Sequence, residues 1–177
     1  MQTEQQIRKN TVRNIANEIM IAARTAPKAK GVDNLEILIA DENEVRVIAD
    51  RMIEIAERPN TSPAFKRDAE NILEADALIL IGTKVDTIGL AYCGLCGYSG
   101  CSEKSKYPDK PCVFNTIDLG IAIGSAVSKA MDSRLDNRIM YTVGMAAKEL
   151  KLLGGEVRIV FGIPLSSGPK NIFFDRK

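Results

Sequence analysis

The chain has 177 residues, 45% hydrophobic and 27% charged, the balance of one globular domain with a sizeable core. Its 24 basic and 23 acidic residues leave a net charge of +1, which gives no electrostatic footprint for nucleic acid or an anionic membrane. There is no histidine, which excludes mechanisms built on an imidazole base and mixed cysteine–histidine zinc sites.

Apolar residues at helical spacing (Ile7, Val12, Ile15, Ile19, Ala22, Ala23) predict a first helix over 3–25, ended by Pro27. After the loop KAKGVDN, residues 35–40 read as a strand apolar on both faces, which predicts a central place in a sheet. Residues 42–57 read as a helix with Val45, Ile48, Met52, Ile53 and Ile55 on its apolar face. Ser62 and Pro63 open a third helix reaching about Glu74. DALILIG, residues 76–82, is a second buried strand. Residues 86–114 are poor in regular structure and read as an insertion. Residues 118–133 form a helix apolar almost all round, with Gly120, Gly124, Ala126 and Ala130, which predicts burial or close packing on another helix. A third strand is expected over 138–143, an amphipathic helix over 145–153 stopped by Gly154-Gly155, and a fourth strand over 156–163. The tail PLSSGPKNIFFDRK is irregular, and its Phe173 and Phe174 predict docking on the body or on a second subunit. The class is α+β (α/β): one domain over 1–177 with a sheet of about four strands flanked by helices.

All four cysteines, Cys93, Cys96, Cys101 and Cys112, fall within AYCGLCGYSGCSEKSKYPDKPC, spaced C-x2-C-x4-C-x10-C. Four soft thiolates set among glycines suit one metal centre, an iron–sulfur cluster or zinc. A thiol–disulfide pair at Cys93 and Cys96, or free buried thiols, are the alternatives. The opening MQTEQQIRKN has no apolar core segment, so no signal peptide and a cytoplasmic location are expected. In a reducing compartment, clustered cysteines point to metal or redox chemistry rather than structural disulfides. Zinc ribbons usually pair two C-x2-C knuckles, and here only Cys93 and Cys96 form one; three close cysteines plus a remote one is more typical of iron–sulfur ligation. Gly94, Gly97 and Gly100 let the backbone fold around a centre. Tyr92, Leu95, Tyr98 and Pro111 are candidates for an apolar cover, with plain packing the preferred reading of the two tyrosines. Asp86, Glu103 and Asp109 read as solvated loop charges rather than ligands.

The words CGLCG and GC resemble the motif C-G-x-C-G-x-x-x-C of the small four-iron domain in Rnf-type membrane electron-transport complexes and corrinoid iron–sulfur proteins. Cys93, Gly94, Cys96, Gly97 and Cys101 match it, and Cys112 follows after a shorter gap than that motif has. The resemblance implies a 4Fe–4S cluster on the four cysteines.

IMIAARTAPKAKGVDNLEILIAD resembles the opening of the nitroreductase-like flavin fold, in which a helix ending A-A-R-x-A-P-S is followed by an asparagine and a strand. Ala22, Ala23, Arg24, Ala26 and Pro27 match, Lys28 replaces the serine, and Asn34 stands for the asparagine after a three-residue insertion. DALILIG resembles the next strand and DLGIAIGSAVSKAM the central dimer helix. NRIMYTVGMAAKELKLLGGEVRIVFGIP resembles the closing strand, helix and strand, with a Gly-x-Pro turn at Gly162 and Pro164. GIPLSSGPKNIFFDR, with the cysteine segment, resembles the prokaryotic family of ferredoxin-domain proteins of unknown function. Jointly the resemblances imply a nitroreductase-like body carrying an iron–sulfur insertion, usually an intertwined homodimer with FMN at the interface. That family grips the flavin phosphate with R-R-S-x-R before a separate short helix, whereas Arg8 and Lys9 lie inside the first helix here. The resemblance offers Arg24, Lys28, Asn34 and Lys170 for flavin contacts; their ordinary roles are a helix-end cap for Arg24 and solvated loop side chains for the others. The run 166–170 suits an anion-binding nest or a plain turn.

The function expected is that of an iron–sulfur electron carrier, or a relay to a flavin acting as an oxidoreductase, with a redox partner protein or a small-molecule acceptor. The alternative is a zinc-binding structural or adaptor domain on a nitroreductase-like scaffold that no longer binds flavin. Neither nucleic acid nor membrane is expected as a partner.

Overall fold

Helix α1 spans Glu4–Thr25 and buries Val12, Ala16, Ile19 and Ala23 along one stripe, as its apolar spacing dictates. Strand β1 (Leu35–Ala40), helix α2 (Glu42–Ala56), helix α3 (Ala64–Glu74) and strand β2 (Ala77–Lys84) follow. Then come a one-turn helix α4 (Cys101–Lys104), the long helix α5 (Val113–Asp132), strand β3 (Asp136–Asn137), helix α6 (Tyr141–Glu149) and strand β4 (Val157–Ser166). The computed structural model describes residues 1–174; residues 175–177, the end of the tail, lie outside the described residues. Among the described residues no helix is long and apolar enough to cross a membrane.

The fold is α+β. The four strands form one antiparallel sheet in the order β1-β2-β4-β3. Side chains alternate across β2, so its two faces feed two cores. Ile79 and Ile81 meet α1 and α5 through Ile19, Leu119 and Ala126. Leu78 and Leu80 meet α2, α3 and α6 through Ile48, Met52, Ile72 and Val143. Every residue of β2 from Ala77 to Thr83 is buried, the mark of a central strand with helices on both sides.

Three expectations need correction. Residues 35–40 form a strand, but it lies at the sheet edge rather than in the centre. It reads apolar on both faces because helices cover both faces even there: Leu35 joins the α1/α5 core and Ala40 the α2/α3 core. Residues 138–143 are not a strand. The ladder shrinks to the two residues of β3 and an isolated bridge, in which Met140 and Gly162 exchange hydrogen bonds of 2.8 and 3.0 Å. The chain then turns into α6 at Tyr141, four residues before the helix expected at 145–153. Finally, β4 makes no turn at Gly162 and Pro164 but runs through both to Ser166. Gly162 turns its N–H and C=O towards Met140. Two residues on, Pro164 faces the same way, into the gap between this bridge and β3, where its missing N–H interrupts nothing.

The tail docks on the body through one phenylalanine. Phe173 is buried in the α2/α3 core, Arg138 donates to its carbonyl at 2.7 Å, and Asn71 donates to the carbonyl of Ile172. Phe174 stays exposed beneath the Arg138 guanidinium, 5.0 Å from its ring centroid.

Glu149, at the end of α6, clamps α2. Arg58 donates to its two oxygens at 2.7 and 2.9 Å, and Arg51 to one at 3.4 Å. The Arg58 hydrogen bonds hold the Glu149 carboxyl below the usual range, against the opposing effect of partial burial. A depressed folded-state value means the stabilisation is present above the ordinary carboxylate value and is lost as pH falls through the lowered one. Because the pair is partly solvated, Glu149→Gln is expected to cost on the order of 0.5–1 kcal/mol at neutral pH. It should converge with the parent in acid, read from urea midpoints across that pH range.

Candidate metal centre

Between β2 and α5 the chain leaves the sheet, and a single amide oxygen ties the two ends of this excursion together. Asn115 Oδ1 accepts from Asp86 N at 3.2 Å, where the segment departs, and from Cys112 N at 3.1 Å, where it returns. Cys112 is the N-cap of α5 and Asn115 its third residue, so the second bond is half of a capping box. This cap starts α5 at Val113, five residues before the start expected from its apolar pattern. The signal was available as a polar residue three places after a cap, although cysteine is an unusual cap.

Inside the segment the backbone folds back in two steps. Gly97 N donates to Gly94 O at 3.0 Å, with Gly97 at φ +84°, a conformation L side chains rarely adopt. Gly100 then caps the single turn α4, whose start is braced by a 2.6 Å bond from Ser99 N to Glu103. Tyr98 stacks on Tyr107 with centroids 5.2 Å apart. Tyr92, Leu95 and Pro111 are exposed, so of the candidates for an apolar cover only Tyr98 is partly buried.

All four thiols are free. Cys93, Cys96 and Cys101 are half-buried and Cys112 is buried. Among the described residues no three His, Cys, Asp or Glu side chains are gathered closely enough to hold a metal ion. The donor chemistry nevertheless suits a sulfur-rich centre. The set is all thiol, and it is joined by polar groups that sequence reasoning did not single out. Asn115 Nδ2 is buried with no hydrogen-bond partner. Lys104 is only 1% exposed, and its ammonium has no hydrogen bond or ion pair among the described residues. No pattern in the sequence announces a buried lysine.

The residues considered for flavin fall into two places. Arg24 donates to Asp33 Oδ2 at 2.6 Å and to Leu35 O at 2.9 Å, which locks the end of α1 to the start of β1. Lys28 donates to the carbonyls of Ala23, Arg24 and Ala26, a C-terminal cap on α1. Asn34 lies next to these and borders a polar cleft of about 370 Å³ with Lys84, Asp86, Asp109 and Arg158. Lys170 is elsewhere. Leu35 is level with Thr83 and Ile159, whereas Lys170 follows β4 beyond Ser166, at the other end of the sheet. One chain therefore brings three of the four together.

Residues 109–176 match the family described as uncharacterized protein containing a ferredoxin domain (DUF2148), a span that takes in Cys112 and α5. A protein of Archaeoglobus fulgidus described as uncharacterized is 44% identical over 177 residues, covering 95% of this chain and 94% of its own. A nitroreductase family protein from Clostridium novyi superposes with a TM-score of 0.59 at 18% identity, over 90% of this chain and 78% of that one. A nitroreductase with bound FMN from Desulfitobacterium hafniense gives 0.60 at 14% identity, over 89% and 78%. At such identities the likeness is one of fold. The chain thus belongs to the family of uncharacterized proteins containing a ferredoxin domain, built on a nitroreductase-like fold.

Proposed function

We propose that this protein is a cytoplasmic iron–sulfur redox protein whose Cys93, Cys96, Cys101 and Cys112 hold one 4Fe–4S cluster. The observation that carries the reading is the segment itself: four free thiols on an excursion closed at both ends by Asn115. Its returning end is the start of a 20-residue helix, whose positive end favours anionic sulfur. The ferredoxin-domain family supports the same chemistry. When bound, the cluster supplies one-electron transfer. The chain's part is to bring the half-buried Cys93, Cys96 and Cys101 around the buried Cys112 and to limit water there.

The nitroreductase-like fold and the FMN-bound neighbour support a flavin as the second cofactor, with electrons relayed to it. Arg24, Lys28 and Asn34 from one copy, with Lys170 from another, are the contacts in a homodimer. The face of α5 that would meet a second copy carries Ile117 and Ile121, both more than 40% exposed. Gly120 and Gly124 beside them have open space around them.

The test is metal and flavin content on protein purified without oxygen. About four irons and four sulfides per chain, with the broad visible absorption of a cluster, is the expected result. Released FMN on the same sample adds the relay. One zinc with neither iron nor flavin overturns the reading in favour of a structural zinc domain.

A further inference from the structure

We infer that Lys104 and Asn115 are built-in partners of the sulfur centre: Lys104 as its counter-charge and Asn115 Nδ2 as its hydrogen-bond donor. Together they set how readily it takes an electron. This rests on the cluster reading above and assigns new residues to that site.

The two residues share a geometry. Each is a buried donor three places after a cysteine, Cys101-x-x-Lys104 on α4 and Cys112-x-x-Asn115 at the start of α5. Residues three apart on a helical turn lie on one face, with Cβ atoms roughly 5–6 Å apart. Lys104 therefore shares a face with Cys101, and Asn115 with Cys112.

Both donors are also unsatisfied. Buried polar groups are almost always paired, and a buried charge without a partner strongly opposes folding. Lys104 is among the largest fully buried side chains of the chain, yet its ammonium has no partner among the described residues. Asn115 spends its oxygen on Asp86 N and Cys112 N and leaves its NH2 group unmatched. Among the described residues, Asn115 Nδ2 is a fully buried donor without a partner, Lys104 is a buried lysine without one, and no fully buried unpaired acceptor lies on the segment that carries the four thiols, an arrangement that favours an anion. Four thiolates outweigh the positive charge of an iron–sulfur core, so the assembly is anionic, and reduction adds one negative charge without making or breaking a bond. A buried ammonium and an amide N–H both favour the more negative form, so they raise the reduction potential.

The test is a redox titration with dithionite, followed by EPR, on protein reconstituted without oxygen. Lys104→Met keeps the length and apolar stem of the side chain and removes the charge. It should retain iron and shift the reduction equilibrium at least tenfold towards the oxidised form, 59 mV for one electron. Lys104→Arg keeps the charge and should stay near the parent. Asn115→Asp keeps the acceptor for Asp86 N and Cys112 N but replaces the donor, and should shift the same way as Lys104→Met. It also carries the test where Lys104→Met fails to fold. A second readout needs no cluster: metal-free Lys104→Met should unfold at higher urea than the metal-free parent, because the parent then buries an unmatched charge.

Clusters present in the parent and variants with unchanged potentials overturn the inference and leave the cluster reading standing. Loss of iron from both Lys104→Met and Lys104→Arg assigns Lys104 a packing role and overturns its part as counter-charge. Loss from Lys104→Met alone supports it. A parent that takes up no iron and sulfide overturns both readings.

Discussion

Replacing Gly144 by alanine is expected to destabilise the protein by about 3 kcal/mol or more, the upper range for overpacking a filled interior. Gly144 lies in α6, and a Cβ added there would stand 1.8 Å from Val160 O and 2.4 Å from Val160 C. These are backbone atoms of β4, so no rotamer change relieves the contact; helix and strand must separate. The opposing gain in helix propensity, about 1 kcal/mol for alanine over glycine, is too small to compensate. Across the same contact, a Cβ on Gly162 would stand 2.3 Å from Val143. The hydrogen-bonded bridge between Met140 and Gly162 draws the start of α6 against β4, and glycines on both elements make that approach possible. At about 2–4 °C per kcal/mol for a domain of this size, the thermal midpoint should fall by roughly 10 °C. Gly155→Ala is the control, since nothing lies within 4 Å of its added Cβ. Its midpoint should match the parent. A Gly144→Ala midpoint close to the parent's would mean that α6 does not approach β4 so closely.

That contact also shows where sequence reading stops. Helices α1 to α3 are legible because each carries a period set by one buried face, and strand β2 because its unbroken apolar run records burial on both faces; both signals survive without knowledge of the partner. The place of β1 in the sheet is not legible, because apolar residues on two faces report helical cover rather than two neighbouring strands. Ile139, Met140 and Tyr141 have strand-like side chains, yet the ladder there is a single bridge to Gly162, a pairing set by distant residues. The thiol set is visible as spacing alone. Its companions are not: Lys104 looks like any surface lysine until the segment folds over it, and Asn115, ahead of the helix that the apolar pattern marks, looks like a loop residue until its oxygen joins Asp86 to Cys112.

Cys112→Ser is expected to remove most of the iron while leaving the apo fold at least as stable as the parent's, and this separation makes it the sharpest test of the cluster reading. Cys112 has two positions to fill, buried thiol and N-cap of a 20-residue helix. Serine fills the second better than cysteine, because a serine hydroxyl is among the preferred caps for the free N–H groups of a first turn. It fills the first badly, because iron–sulfur clusters are held by soft thiolates and an alkoxide is a hard ligand that is costly to ionise. Urea midpoints of the metal-free proteins should be equal or slightly higher for the variant, while iron and sulfide per chain fall by more than half after anaerobic reconstitution. Cys93→Ser changes a half-buried loop residue, so its folding effect should stay within about 0.5 kcal/mol. It should lose iron to the same degree. If Cys93→Ser falls and Cys112→Ser keeps its iron and spectrum, the buried thiol is a helix cap and the fourth ligand must come from elsewhere. If both variants keep the parent's iron, sulfide and visible spectrum, any iron present is held outside this segment, and the proposed function fails with it.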